Sequence, residues 1–197
     1  MPRRLAVALL LLLATPPAAA HADWQITPFL GNSFAAQTGF LIFEEGLSRR
    51  LTLGASVALL SDHILGLEAE VGHTPRFFEG DDPLGLVLSS RVTTVTGSVI
   101  VAAPLAVTRE SLRPYLALGI GLMQARSNHV AGVLPVDENL LAVNVGVGAT
   151  GFLTDRTGLR FDLRHFKGLG TVEAPMPRAG ASRLSFWRAT AGLILRY

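Results

Sequence analysis

Polar and apolar residues alternate along most of this chain. In Leu51-Thr52-Leu53-Gly54-Ala55-Ser56-Val57-Ala58-Leu59 every odd position is apolar and every even one small or polar. Leu65-Gly66-Leu67-Glu68-Ala69-Glu70-Val71-Gly72 repeats the scheme, as do Leu141 to Gly148 and Leu159 to Arg164. A period of two sustained over this length predicts β-strands with one greasy and one polar face. Eight segments follow: Trp24–Phe34, Arg50–Leu60, His63–Pro75, Arg91–Ala102, Arg113–Arg126, Leu140–Phe152, Thr157–Phe166 and Leu184–Tyr197. The fourth and fifth alternate less cleanly, because Val99-Ile100-Val101 and Leu116-Ala117-Leu118 are apolar on both faces. No helical period of any strength interrupts them.

A soluble sandwich alternates too, so the buried face has to be identified. The polar face of such a sandwich would be rich in Lys and Glu, whereas here it carries Gly, Ala, Thr, Ser and Asn. Small residues of this kind suit the interior of a narrow barrel. The other face is nearly pure Leu, Val, Ile and aromatic, as contact with lipid requires. Strands of about eleven residues have the length that a tilted strand needs to cross a bilayer. Lipid offers no hydrogen bonds, so a sheet within it must close on itself. The expectation is an all-β fold: an eight-stranded antiparallel up-and-down transmembrane barrel.

The connections orient it. Ser61-Asp62 and Thr154-Asp155-Arg156 are short, while Ala103 to Leu112 is longer than a tight turn needs. Ala35 to Arg49, Arg76 to Ser90, Ser127 to Asn139 and Lys167 to Arg183 are long and polar or rich in Gly and Pro. Outer-membrane barrels show this asymmetry, with long loops outward and both termini periplasmic. Trp24, Tyr115, Trp187 and Tyr197 lie near strand ends, which suits an aromatic girdle at the headgroups.

Composition sharpens this picture. Of the 197 residues 49% are hydrophobic and only 16% charged, against about 25% charged in a soluble domain. Part of the apolar excess is a leader: Arg3 and Arg4, the apolar run Leu5 to Ala14, and Ala20-His21-Ala22 have the order of a cleaved signal peptide. The expected division is a signal peptide over 1–22 and one barrel domain over 23–197. Without Arg3 and Arg4 the 17 basic residues become 15, equal to the 15 acidic ones. No basic patch is left to suggest nucleic acid. The absence of Cys excludes disulfides, thiol catalysis and Cys-based metal centres.

The chain stops inside a strand, Thr190-Ala191-Gly192-Leu193-Ile194-Leu195-Arg196-Tyr197. Thr190, Gly192, Leu195 and the terminal Tyr197 resemble the C-terminal assembly signal of bacterial outer-membrane barrels, with Leu195 where an aromatic is commoner. With Pro28-Phe29-Leu30-Gly31, Gly66 to Pro75, Arg113-Pro114-Tyr115 and Gly158 to Arg164, the chain as a whole resembles the small outer-membrane barrel family (OmpA/OmpX-like, porin-family). The resemblance implies insertion by the outer-membrane assembly machinery, which reads that last strand, and a barrel in contact with outer-membrane lipid. It implies a monomer with no cofactor, and says nothing of an extracellular ligand.

The residues that could carry chemistry are few. Glu68 and Glu70 in the third strand, Arg160, Asp162 and Arg164 in the seventh and Arg188 in the eighth share the inward phase. Strands three and seven face each other across a lumen just wide enough for side chains, so these charges should pair. They form a salt-bridged plug or, on the other reading, an ion path. Some eight-stranded barrels are lipid-A-modifying enzymes, for which His165 would be the best base. It lacks the nearby Ser of such a site, and Ser127-Asn128-His129 falls in an expected loop. The histidines are too dispersed for a metal, and Glu79-Gly80-Asp81-Asp82 reads as an exposed acidic turn. Phe77 and Phe78 could contact a partner or lipid from the second long loop, or pack beneath it. The expected function is a non-enzymatic structural or surface-interaction barrel with no catalytic or metal site. The alternatives are a narrow porin-like channel, a lipid-A-modifying enzyme and, remotely, a soluble ligand-binding barrel.

Overall fold

The structure, a computed structural model, describes residues 22–37, 49–61, 64–77, 87–108, 112–129, 136–171 and 184–197. Eight strands run β1 Ala22–Gln37, β2 Arg50–Ser61, β3 Leu65–Pro75, β4 Val87–Ala102, β5 Arg113–His129, β6 Val136–Phe152, β7 Thr157–Thr171 and β8 Ser185–Arg196. Each pairs antiparallel with its sequence neighbour, and β8 pairs with β1 to close the barrel. One circuit of paired residues leaves β1 at Ile26, passes Val57, Ala69, Gly97, Ile120, Val143, Lys167 and Ser185, and returns to β1 at Gln37. That stagger tilts every strand against the barrel axis.

Alternation becomes sidedness. Outward positions such as Leu53, Leu67, Val71, Val99, Leu118, Val145 and Phe161 stay exposed, while Thr52, Ser56, Glu68, Glu70, Thr96 and Asn144 between them are buried. Exposed apolar side chains form a continuous belt around the wall, as hydrocarbon contact requires. Both ends of the sheet come together at the short-turn end: Ala22 pairs with Ser61, and the Tyr197 amide donates to the Trp24 carbonyl at 3.0 Å. One helical turn, Leu105–Thr108, lies in the β4–β5 connection, where no helix was expected.

Most strands outrun their expected ends on the long-loop side: β1 by Ala35 to Gln37, β4 by 87–90, β5 by 127–129, β6 by 136–139 and β7 by 167–171. Ser127-Asn128-His129, expected in a loop, closes β5, and the β5–β6 connection shrinks to 130–135. These extensions pair by backbone but rise above the greasy belt. The alternating pattern that marks a strand in sequence is therefore missing from them.

The lumen is layered. Phe77, Val92, Met123, Leu140, Phe166, Leu184 and Phe186 pack as an apolar cluster toward the long-loop end. Phe186 stacks on Phe166 at 5.1 Å between centroids and meets Phe77 edge-on at 5.2 Å. Leu60, Ile100, Ala102, Tyr115 and Ala117 form a second cluster toward the short turns. The blurred alternation of the fourth and fifth strands has its reason here, since Ile100 and Ala117 face an apolar end of the lumen.

Of the two places expected for Phe77, the structure gives the one beneath the loop. Strict alternation from Val71, His73 and Pro75 would turn it outward, yet it is 1% exposed. Arg76 has a left-handed backbone, φ 54°, and its amide donates to the Ser90 carbonyl at 2.7 Å. This one residue reverses the phase, sending its own side chain out and Phe77 into the lumen. Phe78 and the acidic turn Glu79 to Asp82 lie outside the described residues, as do residues 1–21 of the expected leader, whose last residue, Ala22, begins β1. Phe77→Ala is expected to cost about 3–5 kcal/mol. Urea titration of the folded electrophoretic band in detergent measures this, and an unchanged midpoint would remove the ring from the plug.

Candidate functional site

Between the two apolar layers lies a band of charge. The inward phase of β7 presents Arg160, Asp162 and Arg164 one above another, and β3 presents Glu68 and Glu70 from the opposite wall. The structure brings these five together with Arg188 of β8. Glu68 is the hub: its Oε1 lies 2.8 Å from Arg160 Nη1, and its Oε2 accepts from Arg164 Nη2 at 2.7 Å and Arg160 Nη2 at 3.0 Å. Asp162 receives Arg164 in a two-pronged grip, Nε to Oδ1 at 2.8 Å and Nη2 to Oδ2 at 2.9 Å. Glu70 pairs with Arg188 and lies 3.5 Å from Arg164 Nη1. Three carboxylates thus meet three guanidiniums, and Arg164 at their centre is 0% exposed.

Two further residues complete the band. Tyr115 donates its hydroxyl to Asp162 Oδ2 at 2.5 Å and accepts from Arg160 Nε at 2.7 Å. The Arg160 guanidinium also lies over the Tyr115 ring, 4.8 Å from its centroid. Sequence reasoning placed Tyr115 in the aromatic girdle because it stands near a strand end. It is instead inward and 5% exposed, whereas Trp24, Trp187 and Tyr197 do face outward. Parity within β5 was the available signal, since Tyr115 shares its phase with Ala117 and Gly119. Arg113, on that same phase, donates to the Ala103 carbonyl at 2.7 Å and the Ser61 carbonyl at 2.8 Å. It braces the short-turn end from within.

Above the band, Ser33, Thr52 and Thr74 share hydroxyl hydrogen bonds of 2.8 and 2.7 Å around Thr52. Arg188 bridges to the apolar layer, its guanidinium 4.4 Å from the Phe166 centroid and its Nη1 donating to Thr94 at 3.3 Å. The arrangement can hold charge in place and fill space. His165, the candidate base, is on the outward phase against Trp187, ring centroids 4.9 Å apart. His73 shares a 2.9 Å hydrogen bond with Thr93 on the same outer wall. No group of three His, Cys, Asp or Glu that could hold a metal occurs among the described residues.

No protein-family model matches the sequence, and no curated protein sequence matches it. Solved structures do match. Neisserial surface protein A superposes with a TM-score of 0.65 at 11% identity, over 88% of this chain and 97% of that one. The outer-membrane protein OprG of Pseudomonas aeruginosa gives 0.61 at 11%, over 90% and 97%. Ail, the attachment invasion locus protein of Yersinia pestis, gives 0.55 at 12%, over 89% and 99%. At such identities the likeness establishes the fold, that of the small eight-stranded outer-membrane barrels.

Arg164→Ala strands Glu68 and Asp162 with too little positive charge and is expected to cost about 3–5 kcal/mol. Glu68→Gln in the same chain should recover part of that loss, read from the urea midpoint. Planar-bilayer current should stay at the wild-type level, because the apolar layers remain. A variant as stable as wild type with a large new conductance would reverse this assignment.

Proposed function

We propose that this protein is an integral barrel of the bacterial outer membrane, non-enzymatic, with both termini periplasmic and a structural or surface-interaction role carried by its long loops. One observation carries the reading. Among the described residues, side chains occupy the lumen in three layers: the Phe77–Phe166–Phe186 layer, the ionic band, and the Arg113–Tyr115 layer. These layers support a closed lumen over a channel, as does the strand count, since wide aqueous pores belong to barrels of many more strands. The surfaces left to work are the outer wall and the connections 38–49, 76–86, 130–135 and 172–184.

Other features support the location. The apolar belt needs hydrocarbon around it, and the connections divide into a short-turn end shared with the termini and a long-loop end. The ending Thr190, Gly192, Leu195 and Tyr197 lies in the closing strand, where an assembly machinery could pair with it before β1 does. Among proteins of this fold, one is named a surface protein and another an attachment invasion locus protein. The lipid-A-enzyme reading has little to stand on, since His165 faces lipid beside Trp187.

Fractionation tests the proposal. The protein is expected in the outer-membrane fraction, migrating faster unboiled than boiled, with protease on whole cells cutting only within the four long connections. Reconstituted, it should give no steady conductance. Recovery in the soluble fraction without detergent would sink the membrane reading, and stable single-channel steps would sink the closed lumen.

A further inference from the structure

The ionic band leaves one inward arginine out. Arg50 begins β2 on the inward phase, two residues beyond Thr52 toward the long loops, in register with Ser33 of β1. Its side chain is half-buried, and its Nε and Nη2 are fully buried with no hydrogen-bond partner. The carboxylates of the lumen are engaged elsewhere, Glu68 and Asp162 by Arg160 and Arg164, and Glu70 by Arg188. A buried guanidinium edge without an acceptor is costly, more so than a neutral donor.

The two unpartnered atoms form one edge of the guanidinium. Their N–H groups run parallel at the spacing of the two oxygens of a carboxylate. Arg164 shows this edge in use: it grips Asp162 with Nε at 2.8 Å and Nη2 at 2.9 Å. The neighbouring hydroxyls can add a donor. Thr52 bonds Ser33 at 2.8 Å and Thr74 at 2.7 Å, while the Ser33–Thr74 contact is long at 3.5 Å. Three hydroxyls joined by two good hydrogen bonds keep one O–H to give. Run from Thr74 through Thr52, the chain leaves that proton on Ser33, the residue facing Arg50.

The backbone on either side is shaped around this place. Continuing the β2–β3 ladder past Leu53–His73 brings position 76 opposite Arg50, and the left-handed Arg76 turns its own guanidinium out of the lumen. On the other flank, Ala35 of β1 is left-handed too, φ 49°, two residues past Ser33. No other non-glycine residue among the described ones has a positive φ. Strain of this kind gathers at ligand clamps.

Charge selects the ligand. Three carboxylates already balance Arg160, Arg164 and Arg188, so one positive charge remains to be met at Arg50. A carboxylate carries a single negative charge, whereas a phosphate group carries about 1.5 to 2 at neutral pH. We infer that Arg50 and Ser33 bind the carboxylate of a molecule reaching the lumen mouth from the long-loop end, Arg50 through Nε and Nη2 and Ser33 through its hydroxyl. This deepens the surface-interaction role proposed above and rests on its orientation, with the long loops outward.

The test titrates the full-length protein in zwitterionic detergent with sodium acetate, ionic strength being held constant with sodium chloride. NMR follows the Arg50 Nε–H resonance and the backbone amides of Ser33 and Thr52. Acetate should move all three to a common saturation, with half-effect at about 10 mM, as one charge-assisted pair supports. Arg164 Nε–H should stay in place, and phosphate should bind more weakly. Arg50→Lys keeps the charge without the paired edge and should weaken binding about tenfold, read at the Thr52 amide. Ser33→Ala should weaken it about fivefold, and Arg91→Gln on the exposed outer wall less than twofold. A response to acetate no greater than to chloride, unweakened binding in Arg50→Lys, or tighter binding of phosphate would overturn the inference. The comparison of the three anions on wild-type protein stands even if a variant fails to fold. An outer-membrane barrel that binds no acetate refutes this site alone, while a soluble protein refutes the membrane reading beneath it.

Discussion

A guanidinium inside a barrel whose outer wall is apolar has no water to retreat to, and the grip of Glu68 on Arg160 and Arg164 answers that constraint. Burying either arginine without a carboxylate would cost several kcal/mol per charge. One carboxylate serving two guanidiniums would leave a net positive charge, so Asp162 and Glu70 share the load from two further directions. Both carboxylates of β3 point across the lumen to β7 and β8. The ionic band therefore links strands that no backbone ladder joins. Closure of the barrel by hydrogen bonds and its cross-bracing by charge are separate devices, and the second holds only if strand register is kept to the residue. A slip of one position would turn Glu68 or Arg164 toward the belt.

Space for the band comes from residues that lack side chains. Gly146 and Gly148 of β6 lie beside Arg164 and Tyr115, and a Cβ at either would strike the arginine's aliphatic stem or the tyrosine ring. The small residues of the polar face are thus the mould into which long side chains from the facing strands are laid. Hydroxyls finish the upper edge, where Thr52 links Ser33 and Thr74 across three neighbouring strands.

Much of this was legible in the sequence, because a period of two reports sidedness and sidedness in a narrow barrel dictates what meets across the lumen. Glu68, Glu70, Arg160, Asp162, Arg164 and Arg188 were identifiable from phase alone. Tyr115 was not, since an aromatic near a strand end fits a membrane girdle equally well and only its parity with Ala117 separates the two. The strand extensions were hidden for a different reason. Asp137, Glu138 and Asn139 pair through backbone groups that carry no sequence signature, above the level where lipid enforces alternation. For Phe77 the sequence left two places open, and the device that decides between them was hidden, because a single positive φ at an arginine leaves no trace in a hydropathy pattern.

That same φ connects the inside of the barrel with its outside. A residue at position 76 in ordinary strand geometry would point its side chain inward and leave Phe77 facing lipid or loop. The lumen would then carry an arginine beyond Arg113, Arg160, Arg164 and Arg188, while its three carboxylates Glu68, Glu70 and Asp162 already serve the ionic band. The left-handed turn costs on the order of 1–2 kcal/mol for a residue with a Cβ, less than stranding a buried cation or forgoing the burial of a phenyl ring. The backbone strain is therefore offset twice: the ring completes the apolar layer above the ionic band, and the guanidinium stays outside the lumen. One residue's backbone thus decides which side chain fills the lumen and which leaves it at the long-loop end.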